Sequence, residues 1–151
     1  IDNSSKTAFY LYNVHLDHRS QRSREKSIQL LTERIHNRTH PDPVVITGDF
    51  NAGEENTAIM YLKGKGALRL DDAQVSKTPV VFVDSFRQLH ADADAVGTSN
   101  RFKGIRSGDK IDYVFVQPDA QVLEAEIIHD STKGKYPSDH FPVIAKIRLA
   151  E

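Results

Sequence analysis

Val44-Val45-Ile46-Thr47-Gly48-Asp49-Phe50-Asn51 is a short apolar run, rich in β-branched residues, that ends in a glycine and then presents a carboxylate and a carboxamide two positions apart. Such a composition predicts a buried strand. Its two-residue period puts Asp49 and Asn51 on one face and turns Phe50 to the other. A strand of this kind delivers polar groups to the edge of a sheet. An acid and an amide together can hold a metal-bound water or a phosphate oxygen, so the reading of the chain depends on the partners its other segments supply.

Upstream, residues 8–14 alternate Phe9, Leu11 and Asn13 with Tyr10, Tyr12 and Val14, which predicts a strand largely covered on both faces. A dense polar group follows, His15-Leu16-Asp17-His18-Arg19. Residues 20–38 then carry Ile28, Leu31 and Ile35 at helical spacing, with Arg22, Arg24, Lys26, Glu33 and Arg34 assigned to the opposite face. That pattern predicts an amphipathic helix lying on a sheet. Pro41 and Pro43 punctuate the return to Val44, and strand, helix, strand at this length reads as a βαβ unit or an equivalent crossover.

Downstream, residues 54–63 predict a short helix ended by Gly64 and Gly66, and residues 68–79 read as loop. Val80-Val81-Phe82-Val83 reads as a short strand or a buried segment. Asp84 caps a short helix over 84–90, and 91–99 is a small, polar surface loop. Residues 100–108 are basic and glycine-flanked. Strands are predicted over 111–116, 121–129 and 141–149, and the loop 133–140 carries Asp139 and His140 to the start of the last one.

The bulk numbers narrow the classes. At 151 residues and 17.0 kDa, with 38% hydrophobic residues, the chain has the length and composition of one domain with its own core. The absence of cysteine excludes disulfides, thiolate nucleophiles and cysteine-ligated zinc. No apolar run approaches membrane-spanning length. A formal net charge of -1 excludes a broadly basic nucleic-acid wrapper, so a phosphate-bearing ligand must be met by local clusters or by metal.

Four segments therefore end in polar groups: His15, Asp49 with Asn51, Asp112 at the start of its strand, and Asp139 with His140. Singly, each has an ordinary explanation as a turn or cap residue. Together they match the way metal-assisted hydrolases are assembled at sheet edges. Phosphodiester hydrolysis needs a positioned water, stabilisation of charge on the phosphoryl oxygens and help for the leaving oxygen. Carboxylates suit a hard ion such as Mg²⁺ or Mn²⁺, and a histidine held by a carboxylate is a general base or a donor to phosphate. His36, His40 and His90 read as surface residues.

Asn13-Val14-His15-Leu16-Asp17-His18, Gly48-Asp49-Phe50-Asn51, Ile111-Asp112-Tyr113-Val114-Phe115-Val116 and Ser138-Asp139-His140-Phe141-Pro142-Val143 resemble, in order, the motifs of the endonuclease/exonuclease/phosphatase superfamily with its DNase I-like fold. Weaker echoes are Asp84-Ser85-Phe86-Arg87 and Gly97-Thr98 followed by Phe102-Lys103-Gly104, which look like that family's substrate-side segments.

The resemblance implies a fold class of α/β, with a mostly antiparallel or mixed sheet and helices on one face. This corresponds to one half of a four-layer α/β/β/α sandwich. It also implies divalent-metal-dependent hydrolysis of phosphoesters, by a nuclease or a small phosphodiesterase or phosphatase. His15 would touch the scissile phosphate, and Asp49 would position the nucleophilic water. Asn51 would hold that water and a phosphate oxygen. His140 would be the second catalytic histidine, oriented by Asp112. Asp139 would bind Mg²⁺ or Mn²⁺, and His18 and Arg19, with Asp17 beside them, would contact substrate.

The family's principal metal-binding Glu and an early Asn lie in its N-terminal half, and the motifs matched here are those of its second half. The resemblance therefore predicts the C-terminal portion of a larger domain, carrying part of an active site and inactive alone. It also predicts self-association through an apolar sheet face that the other half would cover. The alternative from another class is a non-catalytic half-domain acting as a binding or assembly module. The expected partner is a phosphoester substrate, nucleic acid among the candidates. Arg19, Arg22, Arg24, Lys26, Arg101, Lys103, Arg106 and Lys110 are offered as a phosphate-friendly rim, or as the solvated face of a helix and a loop.

Overall fold

The β-branched run becomes the second strand of the central sheet, with its apolar side chains facing the core. The computed structural model describes residues 8–69 and 74–150. In chain order the elements are β1 (Tyr10–His15), α1 (Gln21–His36), β2 (Val44–Asp49), α2 (Thr57–Leu62), β3 (Leu68–Arg69) and β4 (Val75–Ser76). β5 (Val83–Asp84), α3 (Ser85–Leu89), β6 (Asp112–Val116), β7 (Gln121–Ile127) and β8 (Val143–Arg148) follow. The central sheet has four strands in the order β1-β2-β6-β5. β1 and β2 are parallel, with α1 as their crossover, and the remaining pairs are antiparallel. The mixed α/β architecture and the crossover agree with the sequence reading.

One face of this sheet is the core. Val44 and Ile46 of β2, with Tyr113 and Phe115 of β6, pack against Ile28, Leu31 and Ile35 of α1 and Ala58, Ile59 and Leu62 of α2. Phe50 is fully buried and sets its ring edge-on to Tyr113 and Phe115, with centroids 5.3 and 5.2 Å away. Burying such a ring contributes on the order of 1.5–3 kcal/mol, which fixes the strand end whose polar neighbours face the other way. α1 begins where Ser20 accepts a hydrogen bond from the Ser23 amide. Arg34 and His36 in its last turn match the negative end of the helix.

At Gly48 the neighbouring strand comes so close that a β-carbon would collide with the Val14 carbonyl oxygen, and φ is +137°. Only glycine fits there. A smaller cluster fills the opposite face at the β6 end, where Val116, Val83 and Ala120 meet Val122, Ala125, Ala145 and Ile147 of the two-stranded β7–β8 ribbon. α3 belongs to this second cluster through Phe86, so the helices covering the principal core are α1 and α2.

Five expectations change or narrow. β1 is not covered on both faces: Leu11 is 59% exposed, and Asn13 and His15 beside it are also open to solvent. Arg24 is buried rather than on the solvent face of α1, because its guanidinium donates to the Asp17 carbonyl at 2.8 Å and to Gln21 at 2.7 Å. Within 68–79, Leu68 and Arg69 pair with Ser76 and Val75 as a small antiparallel ribbon, and positions 70–73 lie outside the described residues. Of the run 80–83, only Val83 joins a strand, and Phe82 is simply buried. α2 begins at Thr57 instead of 54 because the Asn56 side chain accepts from the Ala58 amide and caps it.

Candidate active site

Strand register assembles the site. His15 pairs with Asp49 across β1 and β2, and Asp49 pairs with Asp112 across β2 and β6. Registered residues project to the same face, so three polar side chains stand in one row across three strands. The row ends the sheet on the face opposite α1 and α2. His15 Nε2 lies 3.4 Å from Asp49 Oδ2, with the imidazole 77% exposed and the carboxylate 18%.

Asn51 is held beyond the end of β2 by a left-handed backbone, φ +48°, which asparagine tolerates better than most residues. Its amide N–H donates to Asp49 Oδ1 at 2.7 Å, and its side-chain Nδ2 donates to the Leu16 carbonyl at 2.9 Å. Asp49 is thus fixed through one oxygen and left with Oδ2 toward His15. The Leu16 N–H closes the loop on the Asp49 carbonyl at 2.9 Å.

The fourth contributor arrives from outside the sheet. Ser138 Oγ accepts from the His140 amide at 3.1 Å, and His140 forms an isolated bridge with Ser99. His140 Nδ1 lies 2.8 Å from Asp112 Oδ2, both partly buried. Burial pushes the Asp112 carboxyl above the ordinary carboxylate range, and the Asp49 charge adds to this. Hydrogen bonds from Thr98 and His140 offset part of the rise.

Asp49, Asp112 and His140 each bring one ligand atom to within 4.8 Å of the others. Oxygen donors with one imidazole suit a hard or borderline divalent ion, so the donor chemistry fits Mg²⁺ or Mn²⁺. Asp139, next to His140 in the chain, is not one of these three; its side chain is exposed, 3.5 Å from the Ser138 hydroxyl.

His18 and Arg19 occupy the exposed turn after His15, and Arg19 Nε donates to His18 Nε2 at 3.1 Å. Asp17 has a different occupation. Its Oδ1 accepts from the Arg19 and Ser20 amides, and the Ser20 bond, then the Arg19 bond, lower its pKa.

Of the segments read as substrate-side, Asp84–Arg87 and Gly97–Thr98 turn inward, whereas Phe102 and Lys103 are exposed. Asp84 is 2% exposed, caps α3 by accepting from the Phe86 amide, and pairs with the equally buried Lys110 at 2.7 Å. Lys110 therefore leaves the proposed phosphate rim, and its ammonium sits 3.4 Å from the Tyr113 ring centroid. Burial lowers the Lys110 pKa, with Asp84 working against the fall. Arg87 makes a two-pronged pair with Glu54 at 2.8 and 2.7 Å. Thr98, fully buried, takes the Ile111 and Asp112 amides on its hydroxyl and the Phe141 amide on its carbonyl. It ties together the segments that carry Asp112 and His140. Thr98 and Ser138 are the supporting residues that reading along the sequence did not single out for this part.

Residues 2–140 match the family model described as Endonuclease/Exonuclease/phosphatase family. No curated protein sequence matches. Among solved structures, the chain is similar to a functionally unknown conserved protein from Enterococcus faecalis, at 27% identity and TM-score 0.75, covering 98% of this chain and 53% of that one. It is also similar to a mannosyl-6-phosphatase from Bacteroides thetaiotaomicron, at 26% identity and TM-score 0.70, again over 98% and 53%. An endonuclease/exonuclease/phosphatase from Bacteroides vulgatus gives 25% identity and TM-score 0.77 over 99% and 52%. The chain thus spans about half the length of these neighbours.

Proposed function

The chain belongs to the endonuclease/exonuclease/phosphatase family, and from that premise we propose that it takes part in divalent-metal-dependent hydrolysis of phosphoester bonds. The observation that carries this is the row His15, Asp49, Asp112, completed by His140 at 2.8 Å from Asp112. In this reading Asp112 accepts from the His140 Nδ1–H and fixes the ring, so that Nε2 accepts a proton as general base in the neutral imidazole and donates to a phosphoryl or leaving oxygen in the imidazolium. Asp49, pinned through Oδ1 by Asn51, uses Oδ2 to align the attacking water. The second Nδ2 hydrogen of Asn51 and the exposed His15 imidazole hold non-bridging oxygens. His18 and Arg19 contribute positive charge at the rim.

Mg²⁺ or Mn²⁺ would be held by Asp139, with Asp49 and its neighbours as the adjacent donors. When bound, the ion neutralises charge on the phosphoryl oxygens. Hydrolysis of DNA, RNA and small phosphoesters by the full-length protein, assayed with Mg²⁺ or Mn²⁺, tests the reading. Unchanged turnover in both Asp49→Ala and His140→Ala rejects it.

A second reading rests on coverage, since the chain spans 53% of the first neighbours. On it, these residues form part of a larger domain, and the sheet face bearing Leu11 is a contact surface for assembly or self-association. Sedimentation velocity checks this: Leu11→Lys should shift any oligomer toward monomer, and a concentration-independent monomer for the unaltered chain sinks self-association.

A further inference from the structure

The segment Thr98-Ser99-Asn100 runs antiparallel to Asp139-His140-Phe141, with Ser99 bridged to His140. The Phe141 amide donates to the Thr98 carbonyl at 2.7 Å, and the Asn100 amide donates to the Asp139 carbonyl at 2.7 Å. These bonds fall on the neighbours of Ser99 and His140, which makes the two a non-hydrogen-bonded pair. In such a pair the α-carbons approach to roughly 4.5 Å and the side chains stand together on one face. Ser99 is thus set against the imidazole that Asp112 holds at 2.8 Å.

Burial follows the same alternation. Thr98 and Asn100 are fully buried, whereas Ser99 between them is partly exposed. Across the pair, Phe141 is buried and His140 is partly exposed. Ser99 and His140 therefore share the open face. A partly exposed serine on its own is ordinary. Its surroundings set this one apart. Thr98 Oγ1 takes the Ile111 and Asp112 amides, and Ser138 Oγ takes the His140 amide. The Ser99 hydroxyl has no such partner among the described residues. Asn100 Nδ2 also donates to the Ser138 carbonyl at 3.2 Å, so the segment is already fixed before any ligand arrives.

We propose that Ser99 is a further catalytic residue, its hydroxyl donating to the phosphoryl oxygen nearest the His140 imidazole. This rests on the phosphoesterase reading and adds a substrate contact to it. Charge on a transferring phosphoryl group spreads over three oxygens, which need donors in place before reaction. His15 and Asn51 offer theirs from the β1 and β2 end of the row. Ser99 supplies one from the His140 end. A hydroxyl is neutral, so it adds a donor without placing a second charge against the imidazole.

The test is hydrolysis of p-nitrophenyl phosphate and bis(p-nitrophenyl) phosphate by the full-length protein with Mn²⁺, beside inorganic phosphate binding by calorimetry. Losing a hydrogen bond to a charged oxygen is expected to lower kcat/KM roughly 10- to 150-fold in Ser99→Ala. Ser99→Thr keeps the hydroxyl and should retain most of the native rate. Ser99→Val matches threonine in shape without the hydroxyl and should behave as the alanine variant does. Phosphate Kd should rise in the alanine and valine variants alone. Native kcat/KM in Ser99→Ala, or equal losses in Ser99→Thr and Ser99→Val, overturns the proposal. With hydrolysis lost in His140→Ala, that result leaves the phosphoesterase reading intact. A native protein that hydrolyses neither ester, yet binds phosphate more tightly than Ser99→Val and as tightly as Ser99→Thr, rejects that reading and keeps the Ser99 contact. One that neither hydrolyses an ester nor binds phosphate overturns both.

Discussion

Nδ1 of His140 lies 2.8 Å from Oδ2 of Asp112, although the first residue belongs to the approach to the β7–β8 ribbon and the second opens a strand of the central sheet. A carboxylate in this position sets which imidazole nitrogen carries the proton. Asp112→Asn keeps the shape and presents an amide that can donate as well as accept, so the wrong tautomer becomes accessible. Turnover of the metal-loaded full-length protein should fall by roughly 10²- to 10⁴-fold with KM changed only slightly. Steady-state kinetics of Asp112→Asn beside His140→Ala check this, and native turnover in the asparagine variant removes Asp112 from the dyad.

Gly48 is the narrowest point between β1 and β2. A methyl group there meets the Val14 carbonyl oxygen and must also adopt a φ of +137°. Neither fault can be relieved without separating the two strands that carry His15 and Asp49. Gly48→Ala should lose about 3 kcal/mol or more, at the upper end of single substitutions. Urea unfolding followed by circular dichroism measures it, and a midpoint within error of the unaltered chain contradicts the close approach.

How much of this was legible in the sequence follows from what each feature depends on. β2 was legible because a β-branched run with a terminal glycine declares itself locally. The ends of β1, β2 and β6 were legible as polar strand ends, but that His15, Asp49 and Asp112 form one row is a matter of register, which no single segment contains. Burial of charge was not legible. Arg24, Asp84 and Lys110 look like solvent-facing residues until distant partners are placed against them, Lys110 standing 26 positions after Asp84 by residue number. The pairing of Leu68–Arg69 with Val75–Ser76 was missed because two-residue strands carry no period. Leu11 was misjudged because alternation shows that a strand has two faces, not what covers the second.

The Lys110–Asp84 pair buries two charges almost completely, at 1% and 2% exposure. Removing one partner strands the other in a medium that cannot solvate it, so Lys110→Met should cost about 3–5 kcal/mol. Neutralising both should recover much of that loss. Asp84→Asn is the suitable partner change because an asparagine Oδ1 still accepts from the Phe86 amide and keeps α3 capped. A double-mutant cycle on unfolding midpoints checks this, and an additive double variant shows that the two charges do not depend on each other.

Glu54 supplies a pH dependence whose sign can be worked out. Burial pushes its carboxyl up, but the Arg87 hydrogen bonds and the Lys110, Arg87 and Lys63 charges outweigh it, leaving the pKa below 4.5. A carboxylate depressed on folding stabilises the protein fully above its unfolded pKa and loses that contribution as pH falls through the folded value. Stability should therefore decline below about pH 4.5, with Asp17 and Glu25 contributing in the same direction. Glu54→Gln should be less stable at pH 7 by about 1–2 kcal/mol and should lose less on acidification. Melting curves of both proteins between pH 7 and pH 3 check it, and parallel curves contradict the assignment.

Metal affinity separates two donor arrangements. Asp139 is exposed, and among the described residues its carboxylate meets only the Ser138 hydroxyl, at 3.5 Å. Asp112 and His140 are committed to each other at 2.8 Å, and Asp49 has one oxygen taken by the Asn51 amide. An ion entering among those three must compete with bonds already made, whereas one held from Asp139 need not. Mn²⁺ titration followed by calorimetry should accordingly show a loss of about 10-fold or more for Asp139→Asn and a smaller one for Asp112→Asn. The reverse order places the ion within the Asp49, Asp112 and His140 group, where the ligand atoms already lie within 4.8 Å of one another, and takes the metal role from Asp139.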